Sequence, residues 1–454
     1  MVYRLLVLIL ASALLAGCGP ARETTLSNGL RVIVKEDHRS PVVVSQVWYR
    51  IGSQDEPEGL TGISHVLEHM MFKGTKLHKP GEFSRIIAEN GGRENAFTSY
   101  DYTAYFQQLE KSRLPVAFEL EADRMQNLVL TEEEFRKEIK VVMEERRLRT
   151  EDQPEALAQE KFMATAYTVH PYKHPVIGWM PDLERMRVED LRAWYRRWYA
   201  PNNAVLVVVG DVKPQEVFTL AEKHFGPVPA RPVERAAAPA EPRQEGPRRA
   251  RVSAPAEVPY LIMGYHAPVL APGHDSREPY ALSVLAGILD GGASARFARE
   301  LVRGQKIAAD TDVDYSSIMR SPTILGLDGT PANGRSIEEL EQALRAQIER
   351  MKNERVSDEE LKRVKAQVVA ADVYGRDSTF NQAMQIGRLA AVGLDWRLVD
   401  EYVRRIDAVT AEQVQAVARK YLTADNLTVT VLDPQPIKDH KPLRRPAAGG
   451  GHVR

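Results

Sequence analysis

The stretch Gly62-Ile-Ser-His65-Val-Leu-Glu68-His69-Met-Met-Phe-Lys-Gly-Thr75 decides how the rest of this chain is interpreted. Its apolar residues recur with a helical period, at Ile63, Val66, Leu67, Met70 and Met71. Residues three and four positions apart share one face of a helix, so His65, Glu68 and His69 are predicted to converge. Two imidazoles one turn apart can bind one metal ion.

These residue types suit zinc, which accepts nitrogen and oxygen ligands tetrahedrally and keeps an open position in catalytic sites. The spacing is the inverted form of the common zinc-protease motif, and it places Glu68 to take a proton from water. Two plainer explanations exist for the pattern alone. One is a chance match, with odds of roughly a few per cent, and the other is a pair of surface histidines at helical spacing.

The flanking residues, Gly52–Gly59 before the motif and Glu68–Thr75 after it, closely resemble the zinc peptidases of the pitrilysin, insulinase and mitochondrial processing peptidase family. The resemblance runs from about Thr25 to Pro434 and is closest to the short, two-domain bacterial branch. It implies one zinc ion per chain and a zinc endopeptidase that cleaves peptides or unfolded protein segments. It also leaves a second function open, because the family includes non-catalytic assembly or peptide-binding subunits.

Residues 1–18 are predicted to be a lipoprotein signal peptide. An apolar run from Leu5 to Leu15 follows Arg4, and Leu15-Ala-Gly-Cys18 is typical of a lipobox. Cys18 is the single cysteine, so lipid attachment is predicted there rather than a disulfide within the chain. No later apolar run reaches the length needed to span a bilayer. We therefore expect a periplasm-facing protein of the bacterial cell envelope, held by its lipid alone, with Gly19 favouring the outer membrane over the inner.

The length of the chain predicts at least two domains. The resemblance implies an α/β (α+β) fold with two similar domains of about 200 residues, each a mixed sheet with helices. Residues 227–255, rich in proline and alanine, are predicted to be an extended linker between domains 23–226 and 256–434, with 435–454 a flexible tail. A helix followed by a β-branched strand ends both halves, at Val188–Val209 and at Thr410–Leu432. With 61 basic and 62 acidic residues, the charge is nearly balanced, which argues against a nucleic-acid partner.

Two histidines do not complete a zinc site, so a third ligand is needed. The segment from Thr131 to Arg146 is predicted to be a helix capped by Thr131, with Glu138 and Glu145 beside its buried stripe and Glu144 facing away. On the pattern alone, Glu145 is as well explained by solvation as by metal binding. The resemblance favours Glu145 as the ligand and Glu138 as the outer glutamate that hydrogen-bonds around the ligands.

The residues from Gly92 to Phe106 are predicted to form two paired strands. The resemblance makes the first of them an exposed edge along which substrate backbone is added, with Asn95, Ala96 and Thr98 matching the family pattern. His170 and His174 also lie in a family-like stretch. A structural role in a turn is favoured for both over metal binding.

The second half lacks the metal chemistry, because the helix around Tyr280–Leu289 contains neither histidine nor acid. Active relatives carry an arginine and a tyrosine here that hold the substrate carbonyl, but Val302 and Ala309 occupy those positions. Arg303 and Tyr315 are nearby candidates in the wrong register. A related partner subunit carrying the missing pair is therefore expected, so that two chains enclose a chamber, and a homodimer is the plainer alternative.

Overall fold

The computed structural model describes residues 21–274 and 276–437. Within these ranges the chain forms two β-sheets and the helices that cover them. Cys18 and the rest of the predicted signal peptide lie outside the described residues, as does most of the predicted tail. Among the helices described, none combines the length and the apolar composition that a bilayer crossing requires.

The first sheet has six strands: β1 (Arg22–Thr25), β2 (Arg31–Glu36), β3 (Val42–Tyr49), β4 (Arg93–Thr98), β5 (Thr103–Glu110) and β6 (Ala204–Gly210). They lie in the order β1-β2-β6-β3-β5-β4. Strands β2 and β6 are parallel, and all other neighbours are antiparallel. Strand β4 therefore forms an edge of the sheet, paired only with β5.

The second sheet has five strands: β7 (Arg248–Pro255), β8 (Tyr260–Ala267), β9 (Ala308–Tyr315), β10 (Thr323–Pro331) and β11 (Leu427–Gln435). Their order is β7-β11-β8-β10-β9, and only β7 and β11 are parallel. This order and these directions match those of β2-β6-β3-β5-β4. The prediction of two similar mixed-sheet units is confirmed.

The helices of the first unit are α1 (Ile63–Met70), α2 (Glu82–Glu89), α3 (Leu114–Asn127), α4 (Glu132–Arg146), α5 (Pro154–Ala166), α6 (Met180–Arg185), α7 (Val188–Trp198) and α8 (Pro214–Phe225). Those of the second are α9 (Glu278–Leu289), α10 (Ile337–Asn353), α11 (Asp358–Gly375), α12 (Thr379–Ala391), α13 (Leu398–Asp407) and α14 (Ala411–Tyr421). The described residues also contain two π-helical segments, Arg147–Glu151 and Phe297–Gly304, and five short 3-10 helices.

The predicted similarity of the two units includes one hydrogen bond, which lies at the junction between the final helix and the final strand of each. Asn203 Nδ2 donates to the carbonyl of Trp198 at 2.9 Å, and Asn426 Nδ2 donates to the carbonyl of Tyr421 at 2.8 Å. In each case the asparagine lies five residues after its partner, in the short turn before the last strand. An asparagine-to-carbonyl hydrogen bond therefore precedes the last strand of both units.

One helix of each unit packs against the sheet of the other unit. Helix α12 packs on β3 and β6, where Gly387 lies so close to Trp48 that any side chain at that glycine would collide with the indole. Helix α5 packs in return on β7, β8 and β11, with Phe162 against Ile262. Alternate side chains of β6 enter two different cores, which explains why Ala204–Val209 is apolar at every position.

The segment 227–255, predicted to be an extended linker, is attached to the fold at several places. Its last eight residues form β7, inside the second sheet. Farther upstream, the carboxylate of Glu241 accepts hydrogen bonds from the backbone N–H groups of Thr168, Val169 and His170, at 2.8–3.0 Å. The predicted linker therefore ends before Arg248, and its attachment through Glu241 was not foreseen, because a proline-rich composition does not reveal backbone donors elsewhere in the chain.

Candidate active site

Helix α1 begins at a tightly constrained glycine and a buried carboxylate. Gly62 has a φ of 85°, and a side chain there would meet the carbonyl of Ile177. Glu56 accepts the N–H groups of Gly62 at 2.7 Å and Ser64 at 2.8 Å, so it occupies the positive end of the helix. Burial raises the pKa of Glu56 to about 7, although these hydrogen bonds oppose the shift. The sequence analysis missed this role, although Glu56 lies in the family-like flank.

Helices α1 and α4 bring three metal-binding side chains together. The rings of His65 and His69 lie 4.8 Å apart between centroids. Nε2 of His69 is 3.3 Å from Oε2 of Glu145, and Nε2 of His65 is 3.9 Å from the same oxygen. Of the residues that the structure describes, only these three histidine, cysteine or acidic side chains form such a group, with ligand atoms within 4.8 Å of one another.

The orientation of helix α4 agrees with its predicted phase. Thr131 Oγ1 accepts the N–H of Glu134 at 3.2 Å and caps the helix. Glu145 faces α1, whereas Glu144 is largely exposed and pairs with Arg147 at 3.0 Å. Phe135, Ile139 and Val142 pack in the same core as the apolar residues of α1. The apolar stripe of α4 therefore aims Glu145 at the two histidines.

Glu138 fixes the orientation of the His69 ring. Its Oε1 is 3.0 Å from Nδ1 of His69, and its Oε2 is 2.6 Å from Nζ of Lys73. Burial alone would raise the pKa of Glu138, but the bonds from His69 and Lys73 lower it overall. Burial lowers the pKa of His69, and the bonds to Glu138 and Glu145 outweigh it and raise the value to about 9. The Nε2 of His69 is thereby directed towards Glu145.

The environment of His65 fits a bound cation. Its Nδ1 is buried without a hydrogen-bond partner in the protein, and its Nε2 lies too far from Glu145 for a hydrogen bond. Burial, followed by the charge of His69, lowers the pKa of His65 to about 4, so the imidazole is neutral at pH 7. A neutral imidazole is the form that binds metal. With the nitrogen of His69 and an oxygen of Glu145, the donor set suits zinc.

Glu68 lies on the same helix, and the neighbouring edge strand holds it. Oγ1 of Thr98 donates a hydrogen bond to Oε2 of Glu68 at 2.5 Å. Burial raises the pKa of Glu68, and the bond from Thr98 lowers it in part. The sequence analysis placed Thr98 only on the substrate edge. Its contact with Glu68 is a further role that strand periodicity could not indicate, because it joins residues in different elements.

The strand predicted to be the substrate edge is β4, and it lies at an edge of the first sheet. Asn95 is exposed, and its Oδ1 accepts the N–H of Ala96 at 2.9 Å. Ala96 packs partly against the core that also holds α1. Within the described residues the outer side of β4 pairs with no other strand, so its backbone groups are open to an added strand.

The two other histidines of the first unit have local structural partners, as predicted. Nδ1 of His170 accepts the N–H of Tyr172 at 3.1 Å, which caps a short turn. Nδ1 of His174 accepts from Nε1 of Trp179 at 2.9 Å, and its Nε2 lies 3.3 Å from Glu58. Neither belongs to the metal-binding group.

Two positions of the second unit align with the arginine and tyrosine of active relatives, and the residues there cannot replace that pair. Val302 packs against the core, and Ala309 is exposed on the edge strand β9. Arg303 donates to the carbonyl of Ala293 at 2.5 Å, and the hydroxyl of Tyr315 donates to the carbonyl of Pro268. Both nearby candidates are thus bound to the backbone of their own unit.

Family models match both units. The model described as "Insulinase (Peptidase family M16)" matches residues 31–179, which contain all the residues of the site. The model described as "Peptidase M16 inactive domain" matches residues 185–368, where the described residues contain no metal-binding group of this kind.

Individual relatives agree with these matches. The chain is 32% identical to the zinc protease PqqE of Helicobacter pylori, over 90% of this chain and 92% of that protein. It is 26% identical to a probable mitochondrial-processing peptidase subunit beta of Arabidopsis thaliana, over 93% of this chain and 80% of that protein. The crystal structure of a protease from Helicobacter pylori matches with a TM-score of 0.86 and 30% identity, over 91% of this chain and all of the other.

Proposed function

Because the chain belongs to the insulinase family of peptidases, family M16, we propose that it is a zinc-dependent endopeptidase. Its substrates in this proposal are peptides or unfolded protein segments. The observation that carries the proposal is the convergence of His65, His69 and Glu145, with Glu68 on the same helix turn as the two histidines. The name of the relative PqqE, a zinc protease, supports the choice of metal.

Each residue of the site has one task in this mechanism. His65, His69 and Glu145 hold the metal, and Glu138 keeps the ring of His69 aimed at it. When bound, zinc would polarise the scissile carbonyl and make a water molecule more acidic. Glu68 accepts a proton from the attacking water and delivers it to the leaving amine, while Thr98 keeps that carboxylate in place.

Substrate backbone is proposed to add to the open edge of β4. Such strand addition uses main-chain hydrogen bonds, so it places few demands on the substrate sequence. The side chain of Asn95 already accepts the N–H of Ala96, so it would have to release that donor if substrate uses it. Asn95, Ala96 and Thr98 are the residues that we expect to contact substrate.

Purified protein can test the proposal directly. We expect about one zinc ion per chain, cleavage of an unfolded protein, and loss of cleavage after chelation with recovery when zinc is restored. Zinc binding without any cleavage would favour the alternative, a peptide-binding or assembly subunit. Absence of zinc binding would contradict both the proposed metal site and the proposed mechanism.

We also propose that the active form contains a second, related subunit. Val302 and Ala309 leave this chain without the arginine and tyrosine that the family resemblance associates with the substrate carbonyl, and losing one oxyanion donor typically costs about 10²–10³-fold in rate. A relative is named as a subunit, mitochondrial-processing peptidase subunit beta, which supports pairing. Co-purification from the native membrane, followed by assays with and without the partner, distinguishes a heterodimer from a homodimer. Full activity of a pure homo-oligomer would contradict the heterodimer.

The proposed location is the bacterial cell envelope, with a lipid on Cys18 facing the periplasm. The support is the sequence around Leu15–Cys18. Metabolic labelling with a fatty acid should label the parent protein and not a Cys18→Ser variant. Fractionation would then distinguish the outer membrane, which we expect, from the inner.

A further inference from the structure

We propose that Arg320, in the second unit, is a positioning residue for the active site of the first. It binds both the loop that leads into α1 and the turn that follows the edge strand β4. The inference rests on the proposed peptidase function. It assigns the second unit, which has no metal-binding group in its described residues, a direct part in shaping the site.

Arg320 makes an extensive set of polar contacts with the first unit. Its NH1 and NH2 donate to Oδ2 and Oδ1 of Asp55 at 2.7 and 2.9 Å, and its backbone N–H donates to Oδ2 of Asp101 at 3.0 Å. The other oxygen of Asp101 accepts from the hydroxyl of Tyr172 at 2.8 Å. The side chains of Arg320 and Asp55 are only 11% and 5% exposed. A buried two-point pair of this kind fixes geometry as well as charge.

The first path from Arg320 leads to the metal-binding helix. Asp55 directly precedes Glu56, whose carboxylate binds the N–H groups at the start of α1. Asp55 also accepts the N–H of Gly52 at 3.3 Å, which closes the loop on itself. Holding Asp55 therefore holds the loop from which Glu56 reaches the helix that carries the two histidines.

The second path leads to Glu68 through the β4–β5 turn. Asp101 lies in that turn, three residues after Thr98, whose hydroxyl holds Glu68. The loop and the turn are also joined directly, because the N–H groups of Ser53 and Gln54 donate to the carbonyls of Ser99 and Tyr100. Arg320 therefore contacts a loop and a turn that are hydrogen-bonded to each other. The loop leads into α1, and the turn follows the edge strand β4.

The position of Arg320 within the repeated fold explains why it contacts the first unit. It lies between β9 and β10, the connection that corresponds to the β4–β5 turn of the first unit. The two equivalent hairpins meet, and the second supplies the cation for the acidic residues of the first. Arg235 is another cation near Asp55, but its Nε is 3.6 Å away, beyond hydrogen-bond distance.

Replacing Arg320 with methionine removes the ion pair with Asp55 and keeps the backbone N–H that binds Asp101. It should therefore loosen the loop and, through the backbone bonds of Ser53 and Gln54, the turn and the edge strand, while leaving the three metal ligands in place. Those ligands lie on α1 and α4, which pack through their own apolar core. Displacement by about 1 Å near a catalytic group can cost about 10²-fold. We expect kcat to fall by up to this factor, KM for an unfolded substrate to rise, and zinc content to stay near that of the parent. Arg320→Lys should recover part of the loss.

Arg296 provides a matched control within the second unit. Its side chain is 3% exposed and donates to both oxygens of Glu360, at 2.7 and 2.9 Å. Arg296→Met therefore removes an equally buried two-point ion pair that lies away from the loop and turn. Hydrogen exchange in residues 52–62 and 93–106 should accelerate in Arg320→Met and not in Arg296→Met.

The exchange measurement separates the possible failures. Unchanged exchange in these two segments, or equal acceleration in the control, would overturn the positioning role. Accelerated exchange in a protein whose parent form cleaves no substrate would support the positioning role and contradict the proposed function. If Arg320→Met does not fold, Arg320→Lys takes its place, since it keeps the cation. Parent-like exchange and kinetics in that variant would then overturn the need for two-point binding.

Discussion

Replacement of Glu68 with glutamine separates catalysis from metal binding and from folding. The amide has the size of the carboxylate and can still accept the hydrogen bond from Thr98 through its oxygen. The substitution leaves unchanged the three side chains of the metal-binding group, His65, His69 and Glu145. What the amide cannot do is accept a proton from water.

Glu68→Gln is expected to lower the catalytic rate without lowering the stability of the fold. Loss of a general base typically lowers the rate about 10²–10⁴-fold, which corresponds to about 2.7–5.4 kcal/mol of transition-state free energy. Burial raises the pKa of Glu68, so its ionised form costs stability in the folded protein at pH 7. The neutral amide removes that cost. We therefore expect the free energy of unfolding of metal-free Glu68→Gln to equal or exceed that of the metal-free parent.

The assay combines three measurements on parent and variant prepared side by side. Zinc content should be the same, the thermal midpoint of the metal-free protein should not fall, and the single-turnover rate on an unfolded substrate should drop by the factor given above. A rate near that of the parent would refute Glu68 as the base. A loss of zinc would show that Glu68 has a metal-binding role that the geometry does not assign to it.

Three further predictions concern other parts of the structure. Glu145→Gln should lower zinc affinity by more than the roughly 10–100-fold that is typical when a residue hydrogen-bonded to a metal ligand is changed. Glu144→Gln should retain the parent's zinc content after dialysis. The reverse order of the two variants would contradict the orientation of α4. Thr98→Val should lower kcat without changing zinc content, because it removes the donor that holds Glu68; parent-like kinetics would exclude that role. Glu241→Gln should destabilise the protein by about 2 kcal/mol at pH 7, since it weakens hydrogen bonds to a charged group. Burial raises the pKa of Glu241, but the backbone donors outweigh it and lower the value to about 2, so this stabilisation is full above the unfolded pKa and declines as pH falls below it. The difference in thermal midpoint should therefore be larger at pH 7 than at pH 4, and an equal difference would exclude the charge as its source.

Some parts of the site follow from local periodicity. His65 and His69 share a helix face because they are four residues apart, and the apolar stripe of α4 sets the direction of Glu145. The end of each unit was also visible, because a helix, an asparagine turn and a β-branched strand occur together twice. Such patterns depend on a few neighbouring residues and on the geometry of one element.

Other parts could not be predicted because they depend on how distant elements pack. The segment 227–255 has the composition of a linker, yet Glu241 binds backbone donors more than 70 residues away and the last eight residues enter a sheet. The exchange of α5 and α12 between the two sheets has no signal in either helix. An amphipathic stripe shows that a helix face is buried and not which sheet covers it.

The sequence by itself determined the shared helix face of His65 and His69, the capped helix α4 and the repeat of two units, because each depends on the period or order of nearby residues. The choice of Glu145 as third ligand and of β4 as an edge strand came from the resemblance to a known family. Only the tertiary structure decided which side chains hold the metal-binding group in place. Thr98 reaches Glu68 across 30 residues, and Arg320 reaches Asp55 across 265. Contacts of this range are set by the packing of two homologous hairpins and the helices around them, which no local pattern encodes.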